Sequence, residues 1–142
     1  MNIKVRKIKK GDIGKIQKFY KSNGMDNAGS ITNKFLLDCV DSKLKNYIVF
    51  FIAELNKEII GSVYFVDQGG LTTVWSLAVD ERHRGEGIGS MLVKEGIKFL
   101  EKKKRNMISA IIDPDNIASI ELFKKQGFIN QRKRVRLDKI IK

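Results

Sequence analysis

Residues 82–90, Arg-His-Arg-Gly-Glu-Gly-Ile-Gly-Ser, are the stretch of this chain best suited to chemistry. Three glycines stand among two arginines and the only histidine, His83, and an apolar helical pattern follows at once. A helix start offers free backbone amides and the positive end of the helix dipole, which favour an anion by about 0.3–1 kcal/mol, more where the site is partly buried. Glycines let a ligand approach the main chain and permit unusual dihedrals. Arg82, His83 and Arg84 add positive charge at the approach. Phosphate binding is the chemistry this pattern suits. A tight strand-to-helix turn with solvated charges at its flanks would use the same residues, and spacing alone does not separate the two.

Two familiar nucleotide loops are excluded. Gly85-x-Gly87-x-Gly89, with Ser90 where a last glycine should stand, is not the G-x-G-x-x-G fingerprint, and no Gly-Lys-Ser/Thr tripeptide occurs for a P-loop. Cys39 is the only cysteine, which excludes an internal disulfide and a cysteine-based metal site, and no metal is expected.

The elements that must position this loop follow from periodicity. IKVRKIK (3–9) alternates apolar and basic residues like a half-exposed strand. DIGKIQKFY follows, with Asp12 as an N-cap and Ile13, Ile16 and Phe19 spaced for a helix face. SNGMDNAGS (22–30) is turn-rich and predicts a loop. A second helix begins near Thr32, where Phe35, Leu36, Cys39 and Val40 form an apolar stripe and Cys39 is a buried thiol. YIVFFIAEL, a short Asn-Lys turn and EIIGSVYFV predict an antiparallel hairpin, and TTVWSLAVD (72–80) a third consecutive strand. After the glycine loop, Ile88, Met91, Leu92, Phe99 and Leu100 recur at helical spacing, with Gly96 on the stripe to permit a close approach to a sheet. MISAII (107–112) predicts a short buried strand. NIASIELFKKQGF (116–128) predicts a helix stopped by Gly127 as a left-handed cap. The tail from Phe128 predicts one or two charged edge strands, or a strand completed by a partner subunit. The order is β-α-α-β-β-β-α-β-α-β. The fold class is α+β, with a mixed, mostly antiparallel twisted sheet flanked by helices.

The 142 residues suit a single domain, 1–142, and the 42% apolar content suffices for a core. No apolar run fits a signal peptide or a membrane span, so a soluble cytoplasmic protein is expected. With 28 Lys+Arg against 16 Asp+Glu, the net charge of +12 favours anionic partners. The clusters KKKR (102–105) and RKRVR (132–136) keep nucleic acid or a ribosome in view. They carry no interleaved aromatics and no DNA-reading motif. Arg132, Arg134 and Arg136 alternate, as edge-strand charges that prevent aggregation also would.

LAVDERHRGEGIGSMLV (77–93) resembles the acetyl-CoA-binding motif of the GNAT superfamily of N-acetyltransferases, Arg/Gln-x-x-Gly-x-Gly/Ala, met here by Arg84, Gly87 and Gly89. NIASIELFKKQGF is similar to that family's Asn-x-x-Ala-x-x-Leu-Tyr-x-x-x-Gly-Phe helix through Asn116, Leu122, Gly127 and Phe128, with the alanine displaced by one to Ala118. The order of elements also agrees with the GNAT fold. The resemblance implies acetyl-CoA as cofactor and a primary amine as acceptor, attacked directly and without a covalent enzyme intermediate. It implies that the amides of Gly85, Glu86, Gly87, Ile88, Gly89 and Ser90 cradle the pyrophosphate, with Arg84 leading the motif. Leu77, Ala78 and Val79 would pair with the pantetheine arm like an added strand, and one amide there would polarise the thioester carbonyl. Asn116 would contact the same arm while capping its helix. Lys124 or Lys125 would reach the 3′-phosphate.

The same resemblance leaves proton transfer unassigned. The family's acid, a tyrosine, is replaced by Phe123, which would still line the cofactor, and the base used in one branch of the family falls at Ile111. General acid–base groups contribute about 10²–10⁴-fold. A lysine side chain, with a pKa of about 10.4, costs roughly 4–5 kcal/mol to deprotonate at pH 7, whereas an α-amine near 8 costs about 1. A site without a strong base therefore suits a low-pKa amine. Tyr64, Asp67, Asp113, Asp115 and Glu54 are the remaining polar candidates, and Asp67 and Asp113, at strand ends, are placed to attract an ammonium group or simply to serve turns. His83 is expected at phosphate or in solvent. Two alternatives stay open: an acyl-CoA-binding module without catalysis, and an acetyltransferase associated with nucleic acid or the ribosome. A homodimer is compatible with all three.

Overall fold

The computed structural model describes residues 2–25, 31–41, 43–131 and 135–141. Its centre is a sheet of five strands in the order β1-β2-β3-β4-β5. They are β1 (Lys4–Lys7), β2 (Ile48–Leu55), β3 (Glu58–Asp67), β4 (Thr72–Val79) and β5 (Ser109–Ala110). The first four run antiparallel to their neighbours, whereas β5 is parallel to β4. Four α-helices accompany it among the described residues, α1 (Ile13–Ser22), α2 (Asn33–Val40), α3 (Ile88–Lys102) and α4 (Ile117–Lys125). The expected order β-α-α-β-β-β-α-β-α-β is found as far as α4, without its final strand among the described residues.

The β2–β3 hairpin turns on Asn56 and Lys57, whose φ values of 50° and 66° give the left-handed pair that matches strand twist. Because side chains alternate along a strand, the central strands feed two cores. Phe50, Ile52 and Ile59 meet Ile16, Phe19 and Tyr20 of α1 and Leu36 and Cys39 of α2. On the other face Val63, Phe65 and Val74 meet Ile88, Leu92, Val93 and Leu100 of α3 and Phe123 of α4. Gly96 does what its place on the stripe predicts: a Cβ there would lie 2.0 Å from the Phe65 ring. Burial also raises the Cys39 thiol to about 11, as suits a core thiol.

Thr32 caps α2 by accepting from the Phe35 amide, but Asp12 does not cap α1. Its carboxylate instead takes Arg6 Nη1 and Nη2 at 2.7 and 2.9 Å and the Lys9 amide at 2.7 Å, so it staples β1 to the turn before the helix. The predicted loop starts one residue late, since Ser22 closes α1, and residues 26–30 lie outside the described ones.

Two strand expectations are corrected. MISAII is not a buried strand: only Ser109 and Ala110 join the ladder, both half-buried, while Met107 and Ile111 are exposed. Its alternate residues Ile108, Ala110 and Ile112 reach the α3 core, whereas Met107 and Ile111 point away from it. After Phe128 the described residues form no strand, and Val135, Leu137, Ile140 and Ile141 are exposed. No described neighbour offers them a ladder or a core, which an alternating pattern needs to become a strand. Arg132 and Arg134 lie outside the described residues, and Arg136 pairs with Asp138 at 2.9 Å.

Candidate functional site

Strand β4 runs into the glycine loop through Asp80. This nearly buried carboxylate accepts from the Arg82 amide at 2.9 Å and holds the Arg82 guanidinium at 3.0 and 3.1 Å. Those bonds draw its pKa down to about 2 and pin the 3-10 turn Glu81–His83. Gly85 and Gly87 then take φ values of 79° and 83°, the left-handed region, and a Cβ at either would meet nothing within 4 Å. Their demand for glycine is thus conformational, with open space in front. Gly87 caps α3 and has no side chain with which to satisfy it.

The outcome is a run of unpaired donors. Among the described residues, none of the amides of Gly85, Glu86, Gly87, Ile88, Gly89 and Ser90 donates to a protein acceptor. Arg84 through Gly87 lie exposed. Free amides at the positive end of a 15-residue helix are donors of the kind an anion would need. His83 is partly exposed, and its Nδ1 lies 2.9 Å from Glu86 Oε2, across the loop.

Gly89 serves another end. A Cβ there would lie 2.7 Å from Leu122 Cδ1 and 3.8 Å from both Leu77 and Val79. It marks where α3, α4 and β4 converge, and it lets α4 come close. Asn116 caps α4, its Oδ1 accepting from the Ser119 amide at 3.2 Å, which leaves its side-chain NH₂ as a donor. At the other end Phe128 N–H donates to Phe123 O at 3.1 Å and Gly127 N–H to Lys124 O at 3.0 Å, with Gly127 at φ 91°. This is a Schellman stop, completed by edge contact of the Phe123 and Phe128 rings 5.0 Å apart. Phe123 is buried in the core under that contact, whereas Lys124 and Lys125 are exposed.

Between these helices the sheet splits. β5 pairs only with Thr73 and Val74, so the outward-pointing backbone groups of Trp75 to Val79 have no ladder partner among the described residues. On the inner side Ser62 pairs with Ala78 and Tyr64 with Trp75, so Ser76 and Leu77 together oppose Val63. That bulge puts Ser76 at φ 51° and turns Leu77 back toward the α3 core. A detectable signal existed: Val74 and Leu77 are both apolar at an odd spacing, which a regular strand cannot place on one face.

The polar candidates separate clearly. Asp67 is not available to an ammonium group. It is buried at the end of β3 and receives Arg105 Nε at 2.8 Å, Gly69 N–H at 3.0 Å and Lys103 Nζ at 3.1 Å. Burial would raise its pKa, but these donors outweigh it and hold it at about 2. Two of the four residues of the KKKR cluster are thereby committed to an internal ion pair. Glu54 pairs with Arg6 at 2.9 Å on the far side of the sheet. Asp113 accepts from the Asp115 amide at 3.0 Å in an exposed turn. Tyr64 is half-buried beside Phe50 and Phe35, and burial raises its pKa. Ile111 and Trp75 are exposed at the split.

Residues 17–128 match the model of the acetyltransferase (GNAT) family. An uncharacterized N-acetyltransferase of Methanocaldococcus jannaschii is 27% identical over 86 residues, 56% of this chain and 38% of the relative, so the chain spans well under half of that relative's length. An aminoglycoside acetyltransferase from an uncultured soil metagenomic sample has the same fold, at a TM-score of 0.79 and 16% identity over 100% of both chains. So has the PaiA N-acetyltransferase of Thermoplasma acidophilum, solved with coenzyme A, at a TM-score of 0.73 and 19% identity over 94% of each chain. No helix among the described residues is long and apolar enough to cross a membrane.

Proposed function

The chain belongs to the GNAT acetyltransferase family, and from that premise we propose that it is an acetyl-CoA-dependent N-acetyltransferase acting on a primary amine by direct attack. One observation carries the reading: the unpaired amides from Gly85 to Ser90 open directly beside the unpaired edge of β4. The first feature suits a diphosphate, and the second suits an extended arm bearing amide groups. Acetyl-CoA possesses both, and it would supply an activated acetyl thioester. In the chain, the loop amides would bind the diphosphate and Asn116 NH₂ would donate to the arm. The N–H groups at the Ser76–Leu77 bulge would be candidates to polarise the thioester carbonyl. The whole of residues 1–142 would act as one catalytic domain.

In the transfer the amine nitrogen bonds to the acetyl carbon and the C–S bond breaks. One proton leaves the nitrogen as the departing thiolate gains one. The chain offers no side chain for either proton at the positions where relatives carry them, since Phe123 is buried and apolar and Ile111 is an exposed aliphatic. Water at the open split would then carry the protons, a route that suits an amine of low pKa. The same two residues favour a second reading, an acyl-CoA-binding module without turnover.

Calorimetry with acetyl-CoA, followed by an amine screen read by thiol release, tests both readings. Binding with thiol release on an amine supports the enzyme, and binding without release on any amine supports the module. No binding overturns both.

A further inference from the structure

We infer that the amine acceptor sits on the uncovered face of β4 and β5 with the indole of Trp75 as its main contact, and that it is a singly charged amine on an aromatic body and not a polycation; this rests on the N-acetyltransferase reading above. Val74 of β4 and Ile108, Ala110 and Ile112 around β5 turn toward the α3 core. By alternation Trp75, Met107 and Ile111 share the opposite face. All three are exposed, at 43%, 42% and 61%. On that side of the sheet α1 packs on β3 and α2 on β2, and the cluster they form reaches β4 at Ala78, which leaves the stretch of β4 around Trp75 and the neighbouring β5 exposed among the described residues. A donor lying along the free edge of β4 has α3 and α4 behind it. The open direction for a nucleophile is therefore the face that carries Trp75.

The charge on this face selects the acceptor. Neither β4 (TTVWSLAV) nor β5 (SA) contains an acidic residue. Asp67, the carboxylate ending the neighbouring strand, is committed to Arg105 and Lys103. A polycation would thus bring several positive charges to strands that carry no carboxylate of their own, with the exposed Asp113 just beyond β5, on a protein of net charge +12. An aromatic amine gains ring stacking on the indole, and its single ammonium gains the indole's π face. Trp75 is also pre-set, because its Nε1–H donates to Thr73 Oγ1 at 2.7 Å.

Trp75 is the only tryptophan in the chain, so its fluorescence reports this face alone. The probes are phenylalaninamide, glycinamide and spermidine. The first two share an α-amine and differ by the ring. With coenzyme A bound, phenylalaninamide is expected to change the emission at concentrations where glycinamide and spermidine do not. With acetyl-CoA, kcat/KM for phenylalaninamide should exceed that for glycinamide about tenfold, the scale of an aromatic pair. Trp75→Ala should bring that ratio to about one without moving acetyl-CoA affinity, and Trp75→Leu, which keeps apolar bulk, should lower it as well. An unchanged emission, a preference that survives both variants, or spermidine as the better acceptor overturns the assignment. If acetyl-CoA itself does not bind in calorimetry, the acetyltransferase reading fails first and this inference falls with it.

Discussion

Gly96 of α3 lies so close to Phe65 of β3 that a Cβ on the glycine would stand 2.0 Å from two ring carbons. The contact sets the depth at which α3 rests on the sheet, and so the height of its amide-bearing N-terminus beside β4.

Gly96→Ala is expected to destabilise the fold by about 2–3 kcal/mol, the scale of overpacking in a closed core. The better helix propensity of alanine, about 1 kcal/mol, offsets only part of this. Denaturant melts measure the loss. Adding Phe65→Leu should recover some of it, and a double variant no more stable than Gly96→Ala alone would show that the ring is not the obstacle.

Gly87→Glu is expected to weaken acetyl-CoA binding by roughly 100-fold or more, since a carboxylate would face the diphosphate at several kcal/mol of repulsion. The open space around Gly87 means the fold tolerates the side chain, apart from about 1 kcal/mol for its left-handed φ of 83°. Calorimetry on a variant with native circular dichroism is the check. Unchanged affinity would remove the diphosphate from this loop.

Asn116→Ala should cost about 1 kcal/mol through the lost cap. Asn116→Ser keeps a cap oxygen for the Ser119 amide but no NH₂. Near-native melting with weakened acetyl-CoA binding in the serine variant would assign the NH₂ to the ligand. Native binding would leave Asn116 a cap only.

Asp67 and Asp80 both sit at about 2, below the ordinary carboxylate value. With folded pKa values depressed, their stabilisation is complete above the unfolded pKa, about 3.9, and is lost as pH falls through about 2. Each contributes on the order of 2 kcal/mol at neutral pH. Asp67→Asn should lower stability at pH 7 and flatten the acid limb of the stability curve between about pH 4 and 2. Melts across that range test it, and an unaltered acid slope would count against the ion pair with Arg105 and Lys103.

What could be read from the chain alone was local or periodic. Ile16 and Phe19, or Leu36 and Cys39, repeat at helical spacing because one side of each helix must be dry. Thr32, Asn116 and Gly127 punctuate helices through bonds to amides and carbonyls only a few residues away, so short sequence suffices to place them. The glycine loop was legible for the same reason, since its φ values and its uncapped helix start are properties of nine consecutive residues, 82–90. Family membership followed from that loop and the Asn116 helix together.

Contacts between distant residues were decided only by the folded chain. Asp67 looked available until Lys103 and Arg105, some 36 and 38 residues on, closed over it. Asp12 left the helix it seemed to cap because Arg6 on the neighbouring strand bound it more fully. The tail after Phe128 carries an alternating pattern, yet alternation makes a strand only where a ladder and a core exist to receive it. The split between β4 and β5, and with it the exposure of Trp75, depends on a bulge and on how far two strands remain paired. The odd spacing of Val74 and Leu77 signals the bulge, but how far the strands stay paired and what covers them are outcomes of packing three layers at once.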